Sequence, residues 1–392
     1  VGKKEKNKKS LSLLASAHHV NQSMEGGGVK DLESLEKSLI TVVHEVEQQA
    51  GEITQPLCVG LPPQSYQSMM VELEMDIKGP VVTSKHIDGL LSHAHIASLL
   101  PKNRELIHLF PVGFSVDQLE GVRDPRGLVG ETLKGHYHFI TSPSATLEAI
   151  RAAFYHCHLS VKSFWAMPYC AQFLAPSFIK PQKDHVCLID IGATSTSLSY
   201  YYHGVLAFTH TVSLGSDHIT RDIAQGFNLS ILEAERLKTL EGVILPLTHR
   251  FESEETKFFP HQRTEDPAIS KAMLSRIMRA RMEEIMEHAW KPLHKRKIHL
   301  NSSLAVLVAG GGSHVSGFKE LVEQLLDYPV MLWGECMQPS YQNDSHYLAL
   351  RPSTQAFLHA VAVADQGLHT RLKAKEAKNI FQKTCFWLKE NF

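Results

Sequence analysis

Residues 188–199 read LIDIGATSTSLS. The apolar run HVCLI at 185–189 leads into Asp190, Gly192 follows two residues later, and Thr194, Ser195, Thr196 and Ser197 come next. This pattern predicts a strand that turns tightly into a second strand with its backbone open to a phosphate. Gly192 reaches backbone angles that a Cβ resists. Small side chains let several N–H groups converge on one anion. An acid at the strand end can hold a metal-bound water beside the phosphates. The plain alternative is an ordinary hairpin with an Asp-Ile-Gly turn.

A second cluster weighs against that alternative. Residues 304–313, LAVLVAGGGS, carry a buried-type strand into Gly310, Gly311, Gly312 and Ser313. Beyond them Phe318, Leu321, Val322, Leu325 and Leu326 recur at helical spacing. The expected unit is strand, glycine loop and helix, with the loop and the helix N-terminus facing a ligand. No Gly-Lys-Ser/Thr follows the glycines and no G-x-G-x-x-G occurs, which excludes a Walker loop and a dinucleotide fingerprint. Two glycine loops after two buried strands point to a nucleotide cleft.

At 392 residues the chain is long enough for two or more domains. It is 43% hydrophobic and 21% charged, as globular proteins are, and its net charge of −1 gives no argument for a nucleic-acid partner. Its 6 cysteines form no C-x-x-C, which argues against a zinc site or a disulfide framework and fits a reducing, cytoplasmic setting. No stretch is long enough to span a bilayer and no signal peptide opens the chain.

Along the chain, Lys3, Lys4, Lys6, Lys8 and Lys9 read as a solvated hairpin tip. Asp31 caps a helix over 32–49, and a helix is expected near 85–99. Tyr137 and Phe139 alternate with His136 and His138 on a strand. Helices follow over 146–160, 217–227, 230–240, 268–288 and 353–367, with a polar loop at 246–268 and a His203-Gly204 turn after Tyr200–Tyr202. Tyr155-His156-Cys157-His158 point to different faces of a helix and make a poor metal site.

Three phrases carry a family resemblance. Residues 105–142, ELIHLFPVGFSVDQLEGVRDPRGLVGETLKGHYHFITS, resemble the inserted subdomain of FtsA, a bacterial cell-division family within the actin-like ATPase superfamily, at Pro111, Val116, Asp117, Gly121, Pro125, Gly127, Gly130 and His138. Residues 204–227, GVLAFTHTVSLGSDHITRDIAQGF, are similar to the family's G-x-L-x-H-T…G-G-D-H-V-T-x-D-I-A segment, and EAERLK at 233–238 to its A-E-x-x-K element. The resemblance implies an α/β protein with the actin-like ATPase fold: two α/β lobes around a nucleotide cleft, plus an inserted α+β subdomain. Its expected divisions are 1–54, 142–185 and 346–368 for the first lobe and 55–141 for the insertion. The second lobe takes 186–228 and 297–345, with a helical subdomain at 229–296. A linker at 369–378 leads to a terminal helix at 379–392.

The resemblance implies ATP and Mg2+ as ligands. Asp190, Gly192, Thr194 and Ser195 would form the second phosphate loop, with Asp190 holding magnesium through water. Gly215 would approach the phosphates, Glu235 and Lys238 would reach the ribose or adenine, and Gly310, Gly311, Gly312 and Ser313 would lie against the adenosine. From the residues alone, Glu235 and Lys238 read as a surface pair at i, i+3, worth about 0.2–0.5 kcal/mol. The family's second loop reads D-I-G-G-G-T-T-D; here Ala193, Thr194 and Ser197 replace two glycines and the last acid, which narrows the approach to phosphate. The family's first phosphate loop has no counterpart after Val1, so the chain is expected to be at most a weak ATPase.

Residues 379–392, NIFQKTCFWLKENF, place Ile380, Phe381, Cys385, Trp387, Leu388 and Phe392 on one helical face about 21 Å long, suited to a membrane interface. FtsA chains end in a similar membrane-targeting tail. The implied function is a polymerising adaptor that self-associates into filaments and binds membrane lipid through this tail. It would anchor the tubulin-like division protein FtsZ at the inner face of the cell membrane and recruit later division proteins. The alternatives are a PilM-like pilus scaffold, or a kinase of the same superfamily.

Overall fold

The computed structural model describes residues 2–4, 11–174, 184–244, 255–256, 269–295 and 304–333. The chain forms two compact units. One is built on Val1–Pro181 and the hairpin end Tyr200–Thr209, the other on Gln182–Ser199 and His210–Cys336. The expected helix over 353–367, the linker and the terminal helix lie outside the described residues, as does most of the 246–268 segment.

In the first unit, β1 (Gly2–Lys4) pairs antiparallel with β2 (Leu11–Leu13), the hairpin expected around the lysine run. A short hairpin of β3 (Met24–Glu25) and β4 (Gly28–Val29) leads to α1 (Leu32–Ala50). Asp31 caps α1 by accepting from the Ser34 N–H at 3.1 Å, and Gly51 ends it in the left-handed region at φ 65°. β5 (Leu57–Leu61) pairs not with the insertion but in parallel with a later strand, β10 (Val161–Ala166).

The insertion is a four-stranded antiparallel sheet. It is made of β6 (Gln67–Asp76), β7 (Arg104–Val116), β8 (Leu119–Val122) and β9 (Thr132–Pro143) in the order β6-β9-β7-β8, with α2 (Ser84–Leu90) and α3 (His93–Leu99) in its first connection. Its core gathers Leu73, Leu90, Leu91, Leu133, Tyr137 and Phe139. The single helix expected near 85–99 is two helices, broken at Leu91–Ser92, where Ser92 turns extended at ψ 142°. The break lets the adjacent Leu90 and Leu91 both be fully buried, whereas neighbours on one continuous helix diverge by about 100°. Asp117 sits in the left-handed region at φ 52°. Its carboxylate accepts from the Glu131 N–H at 3.0 Å and the Thr132 N–H at 2.8 Å, tying the end of β7 to the start of β9.

His138 of β9 is 0% exposed. Its Nδ1 donates to the Leu206 carbonyl at 2.8 Å, and Ser68 Oγ donates to its Nε2 at 2.6 Å. Ser68 Oγ in turn accepts from the Thr209 N–H at 3.3 Å. α4 (Ser144–His156) packs along α1, where His156 Nδ1 meets Glu36 Oε1 at 2.7 Å, so His156 serves a helix contact. α5 (Met167–Leu174) follows β10.

A five-stranded sheet follows in the order β13-β12-β11-β16-β17; apart from the hairpin end Tyr200–Thr209 it belongs to the second unit. Its strands are β11 (His185–Ile191), β12 (Thr196–Tyr202), β13 (Val205–Val212), β16 (Ala305–Ala309) and β17 (Val330–Leu332). β11, β16 and β17 run parallel, and β16 is buried along its whole length, which is why it reads as an unbroken apolar run. β12 turns into β13 through His203 and Gly204, both at positive φ (47° and 79°), the geometry of a tight two-residue hairpin.

Helices α6 (Ser216–Phe227), α7 (Ile231–Glu241), α8 (Lys271–Lys295) and α9 (Phe318–Leu326) complete the unit. The two-residue strands β14 (Glu255–Thr256) and β15 (Ile269–Ser270) pair antiparallel, within and beside the segment expected to be loop. α8 runs past the expected stop at His288 because Ala289, Trp290 and Leu293 are still buried, and it carries Pro292 in its last turn. Arg281 grips Asp222 with two nitrogens at 2.5 and 2.9 Å, fastening α8 to α6.

Candidate functional site

The two glycine turns leave neighbouring parallel strands. Asp190 at the end of β11 lies beside Ala309 at the end of β16. The carboxyl ends of such strands are where open α/β sheets bind ligands. Gly310 adopts φ 85°, and a Cβ there would stand 2.5 Å from Asp190 Oδ1 and closer still to the Ile191 carbonyl oxygen. Only glycine fits between the two loops.

The first loop is closed on itself, the Gly192 N–H donating to the Ser195 carbonyl at 2.9 Å. It is also held from outside by the start of α6. The Ser216 N–H donates to the Gly192 carbonyl and the Asp217 N–H to the Ala193 carbonyl, each at 2.9 Å. Both peptides are trans, and in a trans peptide the N–H points opposite to the C=O. The amides of Ala193 and Thr194 therefore point away from α6, and both residues are exposed. Gly215 permits this approach, since a Cβ there would lie 2.6 Å from the Gly192 oxygen. Its own N–H donates to His218 Nδ1 at 3.2 Å.

The leading amides of α6 are thus spent inside the chain. The positive end of the helix dipole faces the loop's carbonyls, while the loop's own amides face outward. Sequence reasoning placed Gly215 here but missed Ser216, Asp217 and His218. The usable signal was a helix start of the form Gly-x-x-His, with an acceptor side chain three residues after the cap.

Glu235 and Lys238 are joined, and more tightly than a surface pair. Lys238 Nζ lies 2.7 Å from Glu235 Oε2 and donates to Thr220 Oγ1 at 2.9 Å and to the Ser216 carbonyl at 3.4 Å. The Lys238 side chain is only 8% exposed, the Glu235 side chain 50%. Burial pushes the Glu235 carboxyl up, but hydrogen bonds from Lys238 and Thr220 and the Lys238 charge outweigh it. The net result lies below the ordinary glutamate value. Lys238 braces α7 against the α6 turn that holds the loop; Glu235 is the member of the pair that reaches solvent.

In the second loop Gly311 is exposed, while Gly310, Gly312 and Ser313 are buried. Ser313 Oγ donates to the Gly310 carbonyl at 2.7 Å, so this hydroxyl serves the turn. The glycines run into a short 3-10 turn, Gly311–His314, and α9 starts only at Phe318. Strand, glycine loop and helix come in the expected order, with the 3-10 turn interposed between the glycines and α9. Gly317, at φ 78°, lies against the Ile244 backbone, and the Ile244 N–H donates to the Ser316 carbonyl at 2.8 Å. Among the described residues no three His, Cys, Asp or Glu side chains gather as metal ligands, and no helix is long and apolar enough to cross a membrane. Ile380, Phe381, Trp387, Leu388 and Phe392 lie outside the described residues.

Comparison with known proteins agrees with this architecture. Residues 187–349 match the family described as "Cell division protein FtsA" and residues 64–141 the "SHS2 domain inserted in FTSA". The cell division protein FtsA of Rhizobium meliloti (strain 1021) is 27% identical over 81% of this chain and 72% of its own length. That of Agrobacterium fabrum is 28% identical over 81% and 71%. Among solved structures, a chain of the PilM-PilN type IV pilus biogenesis complex superposes with a TM-score of 0.63 at 16% identity, over 92% of this chain and 93% of that one. The fold is the actin-like ATPase fold with an inserted α+β subdomain, and this chain belongs to the FtsA family of cell-division proteins.

Proposed function

We propose that this chain is a nucleotide-dependent adaptor of the division machinery, binding ATP with Mg2+ through the loops of its second unit. The observation that carries the reading is the outward pair of amides at Ala193 and Thr194, in the turn that follows Asp190 at the strand end. Amides that converge on an exposed side form an anion cradle, and the cradle fits a phosphate chain. Ala193 and Thr194, with Gly192 and Ser195, would hold phosphate oxygens, Asp190 would orient a water of the magnesium shell, and Gly311 and Glu235 would border the nucleoside. Bound ATP would supply the negative charge that such amides hold. The chain's own residues bind and orient it.

On this reading the chain self-associates into filaments and contacts FtsZ and later division proteins. It lies on the cytoplasmic side of the membrane through residues 379–392. One such helix buries a few large side chains at about 1.5–3 kcal/mol each, less the cost of ordering it. Reversible binding by one tail becomes firm when a filament presents many. The test is cosedimentation of the full chain with phosphatidylglycerol-containing vesicles, with and without MgATP, beside a variant lacking 379–392. Recovery on vesicles should rise with MgATP and vanish without the tail. Equal recovery without the tail would sink the anchoring claim, and rapid phosphotransfer to any of a panel of small acceptors would replace the adaptor with a kinase.

A further inference from the structure

We infer that His218 is a positioning residue for the phosphate loop, setting the direction of the loop's amides without touching the ligand. The inference rests on the nucleotide reading above. Gly215 precedes α6 with an extended backbone (φ −150°, ψ −169°), and its N–H donates to His218 Nδ1 at 3.2 Å. A backbone amide can only donate, so Nδ1 is the acceptor and the ring proton sits on Nε2. His218 thus occupies the place that glutamate or glutamine takes in a capping box. The ring is half-buried, its backbone N–H donates to the Gly215 carbonyl at 3.0 Å, and the next residue, Ile219, is fully buried. The imidazole is therefore anchored to the body of α6 while it fixes the residue that precedes the helix.

What Gly215 does next gives this bond its reach. Gly215 lies in backbone contact with Gly192 and Ala193. The two amides after it, of Ser216 and Asp217, take the Gly192 and Ala193 carbonyls. Rotation of the Gly215 peptide would swing both donors off those carbonyls. The loop peptides 192–193 and 193–194 would then be free to flip, turning their N–H groups away from the exposed side. A carboxylate at position 218 would hold Gly215 equally well but would place a negative charge beside a loop meant for phosphate. A neutral ring caps the helix without that repulsion.

The test compares His218→Ala with His218→Gln, which keeps a neutral acceptor at the capping position, in the full chain. Without nucleotide, amide hydrogen exchange at Ser216 and Asp217 should accelerate at least about tenfold in His218→Ala and stay within about threefold of the parent in His218→Gln. Affinity for a fluorescent ATP analogue with Mg2+ should fall at least about tenfold in His218→Ala and return to within about threefold in His218→Gln. Unchanged exchange in His218→Ala, or failure of glutamine to rescue a folded protein, overturns the inference. A parent chain that protects these amides yet binds no nucleotide overturns the nucleotide reading instead, and leaves His218 judged by exchange alone.

Discussion

Substituting Gly310 by alanine tests whether the two loops are as close as the geometry requires. Two costs add. The residue sits at φ 85°, and a side chain in the left-handed region costs roughly 1–2 kcal/mol. The new methyl would stand 2.5 Å from Asp190 Oδ1 and press on the Ile191 carbonyl, and overpacking of this kind costs roughly 1–3 kcal/mol. The expected loss is therefore about 2–5 kcal/mol, or about 4–20 °C in melting temperature for a unit of this size. The control is Gly311→Ala, where an added Cβ meets nothing within 4 Å and φ is not positive; it should stay within about 0.5 kcal/mol of the parent. Removing the carboxylate as well, in Asp190→Ala/Gly310→Ala, relieves one of the two contacts and should recover only part of the loss, because the Ile191 backbone remains. Thermal unfolding followed by calorimetry reads all four chains. Equal melting of Gly310→Ala and Gly311→Ala would refute the shared wall between the loops.

Glu235→Gln should reveal a pH-dependent contribution. The folded carboxyl titrates below the ordinary glutamate value, so its stabilisation is fully present above that value, about 4.3, and disappears as pH falls through the depressed folded value. Parent and variant should differ by less than about 1 kcal/mol at pH 7, given the half-exposed group, and converge in acid; urea titrations at several pH values check this. Lys238→Met removes a nearly buried ammonium from Thr220 and the Ser216 carbonyl and should cost about 1–3 kcal/mol, more than Glu235→Gln in the same titrations. His138→Ala strips partners from Ser68 and Leu206 in a fully buried site and should destabilise by about 2–4 kcal/mol. A thermal shift of under one degree would contradict that account.

The parts of the fold that were legible in the sequence are those governed by local chemistry. Asp31 announced α1, and the alternation around Tyr137 and Phe139 announced β9. Two apolar runs ending in glycines announced β11 and β16. What was hidden depends on which backbone groups meet across the chain. Nothing local to Gly192 or Ala193 says that their carbonyls will be taken by Ser216 and Asp217. Spacing alone could not tell a buried brace at Lys238 from an exposed ion pair. Leu90 and Leu91 looked like one more turn of helix because periodicity does not register that both must face the same core. For α9 the glycines were correctly read as a turn and the periodicity from Phe318 as a helix, while the 3-10 turn between them left no periodic signal.

The inserted sheet leaves and rejoins the first unit at one point. Gln67 at the start of β6 is paired with Thr141 near the end of β9, and Ser142 Oγ donates to the Ser65 carbonyl at 2.7 Å. Chain partners across an antiparallel ladder stand only about 4.5–5.5 Å apart. The segment therefore behaves as a cassette whose two leads share a socket. Its span could therefore change in length without stretching the scaffold that receives it.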